Sequence, residues 1–210
     1  MIEIAAVFGS PRRKGNTSIL LHQAIAGARD AGARVTEIVL RDLKMSPCLE
    51  IYGCKDAGRC VIKDDYGKIE ELLQRIDGLM LASPIFFYTV SAHTKILMDR
   101  CNSLWVKKYW IDKRPFGQKA YPRKGLFISV GSTNGKRLFD GALLSVNYFM
   151  DALDMELWKS LLFRGVESEG QILKAPFSLK EAYDAGKGLV QALAVGDRPG
   201  DGHRLPDGPQ

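Results

Sequence analysis

Apolar positions along the chain gather into five short runs, and each run precedes a stretch where they recur every three or four residues. The runs are IEIAAVF (2–8), RVTEIVL (34–40), DGLMLAS (77–83), KGLFISV (124–130) and ELWKSLLF (156–163). Their length and aliphatic, β-branched content predict strands. Helical periodicity covers about 17–30, 65–76 (opened by an aspartate cap), 91–105 (opened by Ser91), 136–153 and 175–195. A long irregular stretch, 41–64, separates the second strand from the second helix.

Five β units, each followed by a helix, predict an α/β fold: a five-stranded parallel sheet with helices on both faces. A strand such as GLMLA, apolar at every position, suits burial on both sides. No repeat or linker divides the chain, so residues 1–195 are read as one domain. Residues 196–210, rich in Gly, Pro and Asp, are read as a flexible tail. In such sheets ligands sit beyond the carboxyl ends of the strands. The loops that matter are therefore 9–17, 41–64, 83–91 and 131–136.

Composition narrows the class without naming it. The 210 residues are 46% hydrophobic and 26% charged, the balance of a globular domain that builds its core without disulfide staples. The net charge of +6 comes from scattered cations, which fits an anionic cofactor better than nucleic acid. The longest apolar stretch, GLMLASPIFFYTV, is broken at Ser83 and Pro84 and is shorter than the roughly 20 residues that cross a bilayer. Met1 runs directly into the first strand with no cationic leader, so a cytoplasmic protein without a membrane partner is expected. In that compartment the four cysteines stay reduced unless they hold a metal or do redox work.

The first loop, GSPRRKGNTS (9–18), carries the clearest chemistry. It misses the Walker A pattern, because Lys14 precedes Gly15 instead of following it. It misses the dinucleotide fingerprint, because Pro11 stands at the third position. Hydroxyls and backbone N–H groups remain, at the opening of a helix. Ser10, Asn16, Thr17 and Ser18 can donate to phosphate oxygens, the helix N-terminus adds partial positive charge, and Arg12 and Lys14 add formal charge. Such a site suits one terminal phosphate, as in FMN; a plain capped turn is the alternative.

Three segments, GSPRRKGNTSILL, PCLEIYGCKDAGRCVIKDD and SPIFFYTVSAHTKILMDR, together resemble the NADPH-dependent FMN reductase and iron–sulfur flavoprotein-like branch of the flavodoxin-like superfamily. The likeness covers roughly the first two-thirds of the chain. It implies a flavodoxin-like three-layer sandwich with strand order 2-1-3-4-5, non-covalent FMN, and a homodimer or homotetramer with the flavin near a subunit interface. It places Pro84, Ile85, Phe86, Phe87, Tyr88 and Thr89 at the flavin ring. From the residues alone, the three aromatics suit a flat ring, yet Phe86 or Phe87 equally suits a core or an interface. Gly131 and Ser132, with Thr133, are assigned beside the flavin by position. His93 reads as a surface or interface residue, Lys95 as helix packing, and Asp99 with Arg100 as a structural ion pair.

Cys48, Cys54 and Cys60 share one loop, whereas Cys101 lies in a helix and reads as buried and apolar. Iron–sulfur members of the resembled family carry four cysteines in this loop, and Ile51 falls where the second would stand. A [4Fe–4S] cluster wants four thiolates, so a remnant loop shaping the cleft is the first reading. A three-cysteine cluster with an outside ligand and a Cys48–Cys54 or Cys54–Cys60 redox pair are the others; zinc also lacks its fourth ligand. Asp64 and Asp65 read as the cap of the next helix.

The expected function is an FMN-dependent NAD(P)H oxidoreductase, using NADPH or NADH and a small-molecule or protein electron acceptor. No side chain stands out as acid, base or nucleophile, and flavin chemistry needs none. Arg12, Lys107, Lys108, Arg114 and Arg123 are candidates for a 2′-phosphate, and the 107–123 insert reads as a lid, an interface or a solvated loop. The alternatives are a flavodoxin-type or iron–sulfur flavoprotein-type electron-transfer protein without a nicotinamide site, and a non-enzymatic ligand sensor. The basic balance argues against the carrier.

Overall fold

The structure, a computed structural model, describes residues 1–116 and 123–195. The expected tail and residues 117–122 of the 107–123 insert lie outside the described residues. Strands β1 (Glu3–Phe8), β2 (Arg34–Val39), β3 (Gly78–Ala82), β4 (Arg123–Val130) and β5 (Met155–Phe163) form one sheet. Every pairing is parallel and the order is β2-β1-β3-β4-β5, as the resemblance implies.

Strand pleating sends alternate residues to opposite faces, so a sheet covered on both sides needs apolar residues at every position. Along β1, Ile4, Ala6 and Phe8 enter one core and Ala5 and Val7 the other. Helices α1 (Asn16–Asp30) and α7 (Pro176–Val195) cover the first face. They cross so closely that a Cβ on Gly186 would come within 1.9 Å of the Ala24 carbonyl oxygen. The second face is covered by α3 (Tyr66–Arg75), α4 (Ala92–Arg100), α5 (Asn102–Val106) and α6 (Asp140–Ala152).

Boundaries differ from expectation in three places. The helix expected over 91–105 is divided at Cys101 and runs on into a π-helical turn, Lys107–Ile111. The helix expected from 136 begins at Asp140. The irregular 41–64 stretch contains a one-turn helix, α2 (Cys54–Ala57), and a 3-10 turn, Leu40–Asp42, leads into it.

Arg123 has a structural job. It is 4% exposed, and its guanidinium donates to the carbonyls of Leu73 (2.5 Å), Ile76 (2.8 Å) and Leu153 (2.7 Å). These are orphan acceptors at the ends of α3 and α6, where a cation also meets the helix dipole favourably. Of the five candidate cations for a 2′-phosphate, Arg123 is therefore engaged by internal carbonyls.

Candidate functional site

The strand order reverses between β1 and β3, so the loops after these strands diverge and leave a crevice at the carboxyl edge. A pocket of about 190 Å³ fills it. Its walls are Ser10, Pro11, Arg12, Gly15, Asn16 and Thr17 from the first loop, Pro84, Ile85 and Phe86 from the second, and Val130, Gly131 and Ser132 from the third. Val166 and Glu167, beyond β5, close the remaining side.

The first loop is braced from within. Ser10 Oγ accepts the Arg12 N–H at 3.1 Å, and Ser18 Oγ donates to the Arg12 carbonyl at 3.3 Å. Gly9 has no room for a side chain: a Cβ there would lie 2.0 Å from Thr94 Oγ1 and 2.9 Å from the Ala82 carbonyl. Ser91 Oγ donates to the Gly9 carbonyl at 2.5 Å, tying the second loop to the first. Gly15 precedes α1 and offers no side-chain cap, so the first-turn N–H groups keep their capacity for an anion.

Within that turn the expected donors divide. Asn16 Nδ2 donates to the Ser168 carbonyl at 2.9 Å, and its Oδ1 accepts the Ile172 N–H at 3.1 Å. Its side chain is thus committed to the segment after β5, and Ser18 is committed to Arg12. Thr17 differs. It is 1% exposed, and its Oγ1 has no hydrogen-bond partner among the described residues. A buried hydroxyl without a partner costs about 1–3 kcal/mol unless something satisfies it. Arg12 is exposed on the pocket wall, Arg13 pairs with Asp42 at 2.7 Å, and Lys14 is exposed outside the pocket.

The second loop is a tight hairpin. Phe86 and Thr89 exchange both backbone bonds, at 2.9 and 3.0 Å, with Phe87 and Tyr88 at the tip. Both tip residues have positive φ, 48° and 62°, as a type I′ turn demands and as glycine or asparagine would usually supply. Phe87 is fully exposed, Tyr88 56% and Phe86 47%. Neither phenylalanine joins a core among the described residues, which corrects the core half of the core-or-interface reading. Phe87, Tyr88 and Thr89 stand beyond the pocket wall, whereas Pro84, Ile85 and Phe86 form it.

Cys48 and Cys54 line a second cleft of about 630 Å³ between the cysteine loop and helices α4, α5 and α6. Cys101 is 1% exposed beside it, and burial pushes its thiol up to about 12. Arg100 pairs with Asp64 at 2.6 Å and Asp99 with Lys95 at 2.6 Å, so the expected Asp99–Arg100 pair does not form. Neighbours in a helix point about 100° apart, while residues four apart share a face. Asp64, not Asp65, accepts the Tyr66 N–H that opens α3. Sequence reasoning missed Val166 and Glu167; neither carries a motif, and only the fold brings that segment to the pocket.

A parallel sheet of this order, with an uncapped helix N-terminus and a hydroxyl loop at its switch point, defines a cofactor-binding α/β domain of the flavodoxin type. Residues 2–157 match the family model for NADPH-dependent FMN reductase, and the chain belongs to that family. An iron–sulfur flavoprotein of Methanocaldococcus jannaschii is 37% identical over 103 residues, which cover 49% of this chain and 53% of that one. An iron–sulfur flavoprotein of Methanosarcina thermophila is 29% identical over 135 residues, or 64% of this chain and 66% of its own. The first match thus spans about half the length of that relative. Among solved structures, a flavone reductase superimposes with a TM-score of 0.69 at 16% identity, covering 92% of this chain and 64% of that one, a likeness of fold.

Proposed function

We propose that the protein is an FMN-dependent NAD(P)H oxidoreductase. The observation that carries this is the buried Thr17 hydroxyl at the open N-terminus of α1, unpartnered among the described residues, on a residue that lines the pocket together with Phe86. Thr17 and the first-turn N–H groups of α1 bind the phosphate, with Arg12 as its counter-charge. Asn16 and Ser18 act indirectly, by holding the loop. Backbone groups of 84–86 and 131–132 orient the ring, and the aromatic hairpin shields it from water. FMN, when bound, accepts two electrons from a nicotinamide and releases them to an acceptor.

The test is a fluorescence-quenching titration with FMN, followed by steady-state NADH and NADPH oxidation with a quinone. Quenching that saturates, together with turnover, supports the reading; no FMN binding overturns it. Strong preference for NADPH is not expected. Lys107 is bonded to Asp112, Lys108 to Asp151 and Asp154, and Arg114 to Asp154, so of the five candidate cations only Arg12 lies at the pocket. The same engagement favours, as a second reading, an electron carrier without a nicotinamide site. FMN binding without NAD(P)H turnover would identify it. Assembly as a homodimer or homotetramer is proposed on the family resemblance and on the exposed Phe87, Tyr148 and Leu144.

A further inference from the structure

The structure assigns the cysteine loop a metal-free architecture, in which an Arg100–Asp64–Glu70 clasp holds the loop and no [4Fe–4S] cluster is bound. A cluster of that type takes four thiolates. This loop has three, and Ile51 between them is 59% exposed. The three sulfurs also divide. Cys48 and Cys54 line the 630 Å³ cleft, while Cys60 is not part of its lining and has its N–H held by the Glu70 carboxylate at 3.0 Å. Among the described residues, no three histidine, cysteine or acidic side chains converge closely enough to hold a metal ion.

What closes the loop is a buried polar assembly. Arg100, with a side chain 0% exposed, grips both oxygens of Asp64, at 2.6 and 3.0 Å. It also donates to the Ser46 carbonyl at 3.0 Å and the Ile62 carbonyl at 3.4 Å, and so joins the two ends of the cysteine loop. Asp64 returns the contact by accepting the Ser46 N–H at 3.0 Å. Glu70 accepts the Cys60 N–H on both oxygens, at 3.0 and 3.2 Å, and a hydrogen bond from Ser103. Lys55 lies over the Tyr52 ring at 4.0 Å and the Trp110 ring at 4.8 Å, pinning the middle of the loop to the helical insert. Closing a loop of this length is an entropic cost that any staple can meet, metal or not. Here protein groups already meet it, and a bidentate buried arginine–carboxylate pair is among the stronger ones. The inference does not depend on FMN binding, so the two readings fail separately.

The full chain, purified without oxygen, is assayed for iron and acid-labile sulfide before and after incubation with ferrous iron, sulfide and a thiol reductant. Limited proteolysis then compares wild type, a variant with Cys48, Cys54 and Cys60 all replaced by serine, and Asp64→Asn. The expected result is negligible iron and sulfide, unchanged loop protection in the triple-serine variant, and cleavage of Asp64→Asn within 46–62 about tenfold faster, because cleavage follows the open population. About one cluster per chain, or a triple-serine variant cut as fast as Asp64→Asn, overturns the proposal. If Asp64→Asn fails to fold, the metal assay and the triple-serine comparison with wild type still decide.

Discussion

Thr17 and Asn16 are neighbours of similar chemistry, and the pattern GNTS names both as phosphate donors. The structure separates them because the acceptor of Asn16 lies 152 residues away, on a segment with no motif of its own. Thr17→Val should therefore act with opposite signs. Removing the orphaned hydroxyl should stabilise the cofactor-free protein by about 1 kcal/mol, read as a higher Tm. The same change should weaken FMN roughly tenfold in a quenching titration, the cost of one hydrogen bond to a charged group. The hairpin tip carries a similar conflict. Phe87 and Tyr88 hold left-handed backbone, and each such residue costs on the order of 1–3 kcal/mol. Replacing the pair by Asn-Gly should raise Tm and lower flavin affinity; a fall in Tm would show that the aromatics stabilise the free protein.

Elements were legible wherever one face had a single requirement. The five strands and the helices over 16–30, 66–75 and 176–195 follow from apolar periodicity, since burial on one or both sides dictates where hydrophobic residues stand. What periodicity does not report is how an element ends or what it is tied to. Asn16 fastens the start of α1 to the segment after β5, and Gly131 and Thr133 carbonyls take the N–H groups of Val166 and Gly165. Asn16→Ala would strip the buried Ile172 N–H of its acceptor. We expect about 1–3 kcal/mol lost in denaturant unfolding. FMN affinity should fall several-fold, and a variant that loses stability while binding FMN as wild type would show that this wall is not part of the site.

Across the whole molecule, buried titratable groups set the response to pH. Burial alone would raise the Asp64 carboxyl, but the Arg100 hydrogen bonds and the Ser46 and Tyr66 N–H groups outweigh it and hold the value below the usual range. A depressed folded value means the contribution is present above the ordinary aspartate range, near 4, and is lost as pH falls through the folded value. Glu70 is the reverse: burial raises it, against the bonds from Ser103 and Cys60. Its contribution is full below the ordinary glutamate range and fades as pH rises through the folded value. Asp64→Asn should therefore flatten the acid limb of stability against pH, measured by urea unfolding. Cys101, with its thiol pushed up to about 12 by burial, should resist alkylation in the native state while Cys48 and Cys54 react. The order of β and α units, the core faces and the hydroxyl-rich loop that opens α1 were present in the chain as written, because helix and strand periods and the chemistry of an N-terminal turn are local. Which hydroxyl stays unpaired, which cations are spent on internal carboxylates, and which residues clasp the cysteine loop were settled by the folded chain. Most of those outcomes depend on partners tens to more than a hundred residues away, and residue type alone does not say which of several equivalent donors a distant acceptor will take.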